Sequence, residues 1–342
     1  MPGQDVDKLI NIILDESQIK TDRRLIAELI RESLQLGTDS TSTLNLKIAS
    51  AAISEMREAF AMFAPFSDRK KVTIFGSART TKDDPVYKQT EAVAAKLAAS
   101  DWMVVTGAGP GIMEAGMSGA GREMSIGVSI RLPFETSANS IIAGDQKYVS
   151  MRYFFTRKLM LVKESQAFIC MPGGFGTLDE MFELLTLSQT GKGNPVPIVV
   201  LDLPNDPFWQ SLDAFVRQTL VPRKLVSNQD LALYRICSSV DEAVAEITNF
   251  YSVYHSMRFV GKRLVLRLNR ELSDQHVSRL NIDFGDICVN STIQKISPTK
   301  PETDDADNLD KARLAFQFAR RDFGRLRQLI DAVNSLSFDP TN

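Results

Sequence analysis

The spacing of apolar positions changes twice along the chain, and each change marks a new architecture. Over the first 64 residues the spacing is helical. Leu9, Ile10, Ile13 and Leu14 make one face, and Leu25, Ile26, Leu29 and Ile30, with Ser33, make a second, opened by Thr21 and closed by Gly37. A third runs from Leu44 to Phe63 through Ile48, Ala52, Met56 and Phe60. Pro65 and the polar run Ser67-Asp68-Arg69-Lys70 end this leader.

From Lys71, short apolar runs of strand type alternate with helical segments. Strands are expected at 72–77, 102–106, 124–130, 166–171 and 196–201, and helices at 85–97, 114–121, 152–164 and 179–189. Alternation at this spacing predicts parallel strands joined by right-handed crossovers. The expected fold is α/β: a doubly wound, Rossmann-like parallel sheet with a helical N-terminal extension and a small α+β C-terminal extension.

Beyond Phe250 the period changes again. Residues 263–268 alternate like a strand with one exposed face, and 286–292 are its expected partner. Residues 298–308, with two prolines and an acidic cluster, read as a solvated connector. Residues 309–336 read as one long amphipathic helix with Phe316, Phe323, Leu326, Ile330 and Val333 inward and Arg320, Arg321, Arg325 and Arg327 on a wet face. The expected domains are 1–66, 67–250 and 251–342.

Composition narrows the function classes. At 342 residues the chain exceeds one ordinary core domain, and a net charge of −2 argues against a nucleic-acid binder with a broad basic surface. Cys170, Cys237 and Cys288 are too scattered for a disulfide framework or zinc site, and His255 and His276 lie far from the glycine motifs. No apolar run approaches the ~20 residues of a membrane helix. A soluble, cytoplasmic protein with no membrane partner is expected.

The stretch from Cys170 to Leu185 carries the chemistry. It reads strand, glycine turn, helix, with Leu178, Phe182 and Leu185 at buried-face spacing. Gly173, Gly174 and Gly176 permit positive φ and leave no Cβ to hold a ligand away. Thr177 opens the helix, whose first-turn N–H groups and positive dipole end suit a phosphate. Thr177-Leu178-Asp179-Glu180 also fits a capping box, in which Glu180 only folds back on the helix start. Following a buried strand and three glycines, the ligand reading is the stronger. Gly76-Ser77 and Gly107, Gly109 and Gly111 follow two other strands, so all three turns should meet at the carboxyl edge of the sheet. The Gly107 loop departs from the dinucleotide pattern G-x-G-x-x-G, which disfavours a nicotinamide enzyme.

The helix before the central strand contains Arg157 and Lys158. With Phe154, Phe155, Leu159 and Val162 inward, the two cations fall on another side, which by itself describes an ordinary charged surface. Yet Arg157-Lys158 with Met160, followed by Pro172-Gly-Gly-Phe-Gly-Thr-Leu-Asp-Glu180, resembles the signature pair of the Lonely Guy (LOG) family, the "lysine decarboxylase-like" proteins, over roughly residues 71 to 220. The resemblance implies a nucleoside 5′-monophosphate phosphoribohydrolase that releases free base and ribose 5-phosphate without metal or redox cofactor. It implies Arg157 and Glu180 as the catalytic pair, a small-molecule nucleotide substrate, and a site near a homodimer interface. Gly76, Ser77, Gly107, Gly109, Gly111, Lys158, Gly173, Gly174, Gly176 and Thr177 are the expected binding residues. Phe175 replaces a common Tyr, and Asp179 a common Glu. The substrate is therefore as open to ordinary purine or pyrimidine monophosphates as to a cytokinin riboside monophosphate. The alternative function class is a non-catalytic nucleotide or molybdenum-cofactor carrier. Lysine decarboxylation is the poorest reading, because no lysine has a convincing pyridoxal-phosphate setting.

Overall fold

A computed structural model describes residues 2–132 and 138–337. The chain divides into two compact units, Met1–Glu58 and Ala59–Asn342. The first holds α1 (Pro2–Glu16), α2 (Arg23–Thr38) and most of α3 (Thr43–Phe63). Its core is small: Ile10, Leu14 and Ala27 are buried, with Ile19, Ile26 and Ile30 against them. Leu9, Ile13, Leu25 and Leu29, expected inward, are each more than half exposed, because a two-helix contact covers only a narrow seam of each face.

In the second unit the expected alternation is present as β1 (Lys71–Phe75), α4 (Pro85–Ala99), β2 (Met103–Thr106), α5 (Ile112–Ala120), β3 (Ser125–Ile130), β4 (Tyr148–Met151), α6 (Phe154–Lys163), β5 (Ala167–Cys170), α7 (Phe175–Thr190), β6 (Ile198–Leu201), α8 (Phe208–Phe215), β7 (Arg235–Cys237) and α9 (Val240–Asn249). The seven strands are all parallel in the order β4-β3-β2-β1-β5-β6-β7. The fold is α/β and doubly wound. β1, β2, β5 and β6 are buried along their whole length, which is why their sequences are continuous apolar runs. The two edge strands, β4 and β7, are half-covered and of mixed polarity, so no apolar run announced them. The order reverses direction beside β1 and β5, and the site forms at that edge.

The C-terminal region departs from expectation. β8 (Tyr254–Val260), β9 (Arg263–Leu268), α10 (Asp274–Phe284), β10 (Gln294–Lys295), α11 (Lys300–Asp304), β11 (Ala312–Phe316) and α12 (Phe323–Asn334) follow in sequence. Their antiparallel sheet runs β10-β11-β9-β8, so β9 pairs with β8 and β11 rather than with 286–292. The expected long helix is a strand, a turn and a shorter helix. Phe316 lies in β11, and Arg320 and Asp322 take positive φ between them. Residues 298–308 are mostly exposed, as expected of a connector, but they contain α11 and bury one acid. Glu302, on α11, is wholly buried between Arg267 and Arg313, with Arg267 Nε donating to its carboxylate at 2.8 Å. Burial raises its pKa, but hydrogen bonds from Thr299 and the two guanidinium groups outweigh that and hold it at about 2.

The wet arginine face is formed only in part: Arg320 and Arg321 are exposed but precede α12. Arg327 is buried, pairs with Glu246 on α9 and donates to Asp331 at 2.8 Å, while Arg325 pairs with Asp286 at 3.0 Å. α12 thus lies on the parallel-sheet domain. A Cβ at Gly324 would come within 2.2 Å of the Gln229 carbonyl oxygen, and Phe323 covers Gly191, the φ +68° residue that ends α7. No helix among the described residues is long and apolar enough to cross a membrane.

Glu302→Gln should lower stability by about 3–5 kcal/mol at pH 7, because two buried guanidinium groups lose their counter-charge. Urea unfolding measures this. A carboxyl whose folded pKa is depressed stabilises above its unfolded value near 4.5, so the gap between variant and parent should close as pH falls from there toward 2.

Candidate active site

Three turns meet at the carboxyl edge of the sheet. The Ile112 N–H donates to the Ser77 carbonyl at 3.0 Å, tying the loop after β2 to the turn after β1. This approach requires glycine at position 111, where φ is +66° and a Cβ would lie 2.4 Å from that same carbonyl oxygen. Across the crevice, a Cβ at Gly173 would fall 2.3 Å from Thr177 Oγ1 and 3.1 Å from the Ser77 nitrogen. Gly173, Gly174 and Gly176 do not adopt positive φ, contrary to the expected use of that freedom. Gly174 and Gly176 instead face open space. α7 begins at Phe175, so Thr177 lies buried inside the first turn and the capping box does not form. Among the described residues no side chain caps the helix.

These turns border one open cavity of about 910 Å³. Gly76, Ser77, Gly107, Gly109, Gly173, Gly174, Gly176, Thr177, Arg157 and Glu180 all line it. Gly111 lies behind it as a packing residue. Lys158 does not line it: one position along a helix turns a side chain by about 100°, and Lys158 instead pairs with Asp179 at 2.6 Å and Glu183 at 3.0 Å.

The helical face containing Arg157 is the reverse of the expected one. Thr156, Arg157, Met160 and Leu161 are buried on α6, whereas Phe154, Phe155 and Leu159 are about half exposed. Likewise α7 buries Thr177, Met181 and Leu184 and exposes Phe182. Arg157 is only 8% exposed. Its Nε donates to the Val128 carbonyl on β3 at 3.0 Å, and Nη1 stands 3.6 Å from Glu180 Oε1. Gly107 makes this possible, since a Cβ there would sit 2.0 Å from Nη2. Burial pushes the Glu180 carboxyl up to about 7, against the opposing pull of Arg157 and Lys158. A cavity thus joins a helix start suited to an anion with an acid that changes charge near neutrality.

Several lining groups escaped the sequence reading. Arg79 lies two residues past Ser77, and Arg131 directly follows β3, with Nη2 donating to the Ser150 carbonyl at 3.0 Å. Both follow strand carboxyl ends, a signal that the ligand-edge rule for open sheets could have supplied. Ser129, Tyr148 and Phe154 also line the cavity. They belong to the unannounced edge strand, its neighbour and the misoriented helix.

A family model described as "Possible lysine decarboxylase" matches residues 110–247. Curated relatives include a "Probable cytokinin riboside 5′-monophosphate phosphoribohydrolase" of Oryza sativa subsp. japonica, 37% identical over 83 residues. That alignment spans 24% of this chain and 35% of the relative. The matched segment is similar to the Lonely Guy family. A "Cytokinin riboside 5′-monophosphate phosphoribohydrolase" of Rhodococcoides fascians is 30% identical over 91 residues, 27% of this chain and 44% of that one. One from Arabidopsis thaliana is 30% identical over 112 residues, 32% of this chain and 54% of that one. The Lonely Guy match thus spans about a third to a half of these relatives. Among solved structures, the molybdenum cofactor carrier protein of Chlamydomonas reinhardtii overlaps 53% of this chain and 96% of its own, at 18% identity and a TM-score of 0.37. That likeness is too loose to bear on function.

Glu180→Gln should raise thermal stability at pH 8 relative to the parent. A carboxyl with a raised folded pKa stabilises fully below its unfolded value near 4.5 and loses that contribution as pH rises through about 7. Melting temperatures across pH 4 to 8 should diverge over this window. An offset that does not vary with pH contradicts the assigned burial.

Proposed function

We propose that the protein hydrolyses the N-glycosidic bond of nucleoside 5′-monophosphates, releasing free base and ribose 5-phosphate. The observation that carries this reading is the buried Arg157–Glu180 pair beside an uncapped helix start. The 5′-phosphate would rest on the amides of Gly174 to Thr177, with the helix dipole favouring its charge. Arg157, already oriented by the Val128 carbonyl, would hold the sugar by forked hydrogen bonds.

As the C1′–N bond breaks, its electron pair leaves with the base and positive charge develops on the sugar. The Glu180 carboxylate stabilises that charge and takes a proton from the water whose oxygen bonds to C1′. A pKa near 7 suits it to accept and then release this proton. The base takes up one proton on leaving. This chemistry invokes neither a metal nor a redox cofactor. The substrates are AMP-like monophosphates or cytokinin riboside monophosphates, and the reading places the protein in the cytoplasm, where such nucleotides are made.

We also infer a homodimer. Phe155, Leu159 and Phe182 form an exposed apolar face on α6 and α7, in which Lys158 is already neutralised by Asp179 and Glu183. An exposed apolar patch whose lysine is already paired suits an isologous contact with a second copy.

Incubation with a panel of nucleoside monophosphates should release free base, with kcat/KM rising as Glu180 ionises toward pH 7. Glu180→Gln should lose at least about 100-fold in kcat, and Arg157→Ala should lose both affinity and rate. Parent-like turnover by Glu180→Gln removes the catalytic assignment. Phe182→Asp should halve the mass measured by light scattering, and an unchanged mass rejects this face as the dimer contact.

A further inference from the structure

The cavity extends well past the catalytic pair, and its far end has a different chemistry. The sheet order places the α7 turn beside β5 and sets β3 three strand spacings away, roughly 14 Å at about 4.8 Å each. An extended nucleoside monophosphate reaches about that far. The Arg157 guanidinium stands between the two ends, bonded to Val128 of β3 and facing Glu180 of α7. Beyond it the wall is made by β3, β4 and the start of α6 rather than by glycine turns.

Phe154 is the first residue of α6 and lies one turn before Arg157. Residues three apart on a helix have Cβ atoms about 5–6 Å apart, so a ring at 154 borders whatever Arg157 holds. Both side chains line the cavity, yet Arg157 is buried and Phe154 is 56% exposed. A phenyl ring with an uncovered surface at a cavity wall is what a heterocycle needs for stacking. Ser129 Oγ and Tyr148 Oη lie 2.8 Å apart on the same wall. One hydroxyl hydrogen joins them, leaving a second hydrogen to donate and lone pairs to accept. Such a pair meets a carbonyl or an amino edge by rotating, so it serves more than one base.

We propose that the β3–β4 end of the cavity holds the base, with Phe154 stacked on its face and the Ser129–Tyr148 hydroxyl pair on its edge. This rests on the nucleotide reading above and assigns its base-binding residues. Arg131 at the same end offers the opposite polarity, with the phosphate beside it and the base against α7.

The test compares ligands with and without a base in the full-length chain. Phe154→Ala and Tyr148→Phe are assayed for kcat and KM with AMP and CMP, and for inhibition by ribose 5-phosphate. Phe154→Ala should raise KM for both nucleotides by about tenfold or more while moving ribose 5-phosphate inhibition by less than about twofold. Tyr148→Phe should raise KM for AMP and CMP alike by about fivefold, with the sugar phosphate again unaffected. An unchanged nucleotide KM in Phe154→Ala overturns the proposal. So does an equal loss of ribose 5-phosphate, the mark of the opposite polarity. If the parent hydrolyses neither nucleotide, hydrolysis fails but the base site does not. Calorimetric binding of AMP and ribose 5-phosphate to parent and Phe154→Ala then decides it by the same split. Absence of AMP binding to the parent overturns both.

Discussion

The removal of one guanidinium from water governs the site. Arg157 is covered on every side that the fold supplies: Gly107 yields the space of a side chain, the Val128 carbonyl accepts from Nε, and Glu180 faces it at 3.6 Å. At that distance a carboxylate would normally be held low, yet burial dominates and Glu180 sits near 7. The pair is therefore poised rather than locked. A fully formed bridge at close range would neutralise both partners and leave little capacity to respond to a substrate.

Much of the remaining architecture serves to hold these two helices. Leaving no room for a side chain, the loop after β2 presses against the turn after β1 through Gly111 and the Ser77 carbonyl. The far end of α7 is fixed where Phe323 covers Gly191, and α12 is tied to α9 by Arg327 and Glu246. Thus the C-terminal module braces the helix whose opposite end contributes Glu180. Its own interior depends on a second desolvated cluster around Glu302, which has the opposite electrostatic outcome: there hydrogen bonds exceed burial and the acid stays ionised.

The central strands could be read from sequence because they are buried on both faces, and full burial writes a continuous apolar run. The edge strands β4 and β7 lack that signature, so nothing in the sequence places Tyr148 beside Ser129 of β3. Helix orientation failed for a related reason. Apolar spacing on α6 pointed Phe154, Phe155 and Leu159 inward, but hydrophobicity does not distinguish a core from a cavity wall or an uncovered contact face. The motif pointed to Arg157 and Glu180, which both line the cavity, whereas the adjacent Lys158 lies a helical step away from it. In the C-terminal region, an arginine-rich amphipathic pattern was mistaken for one helix. The turn at Arg320 to Asp322, with positive φ at both residues, has no glycine or proline to announce it.

The most direct measurement is a crystal structure of the protein soaked with ribose 5-phosphate. Phosphate oxygens are expected on the amide nitrogens of Gly174 to Thr177, with C1′ between the Arg157 guanidinium and the Glu180 carboxylate. A sugar phosphate bound beside Arg131 with the α7 start empty, or one that leaves Arg157 and Glu180 untouched, contradicts it.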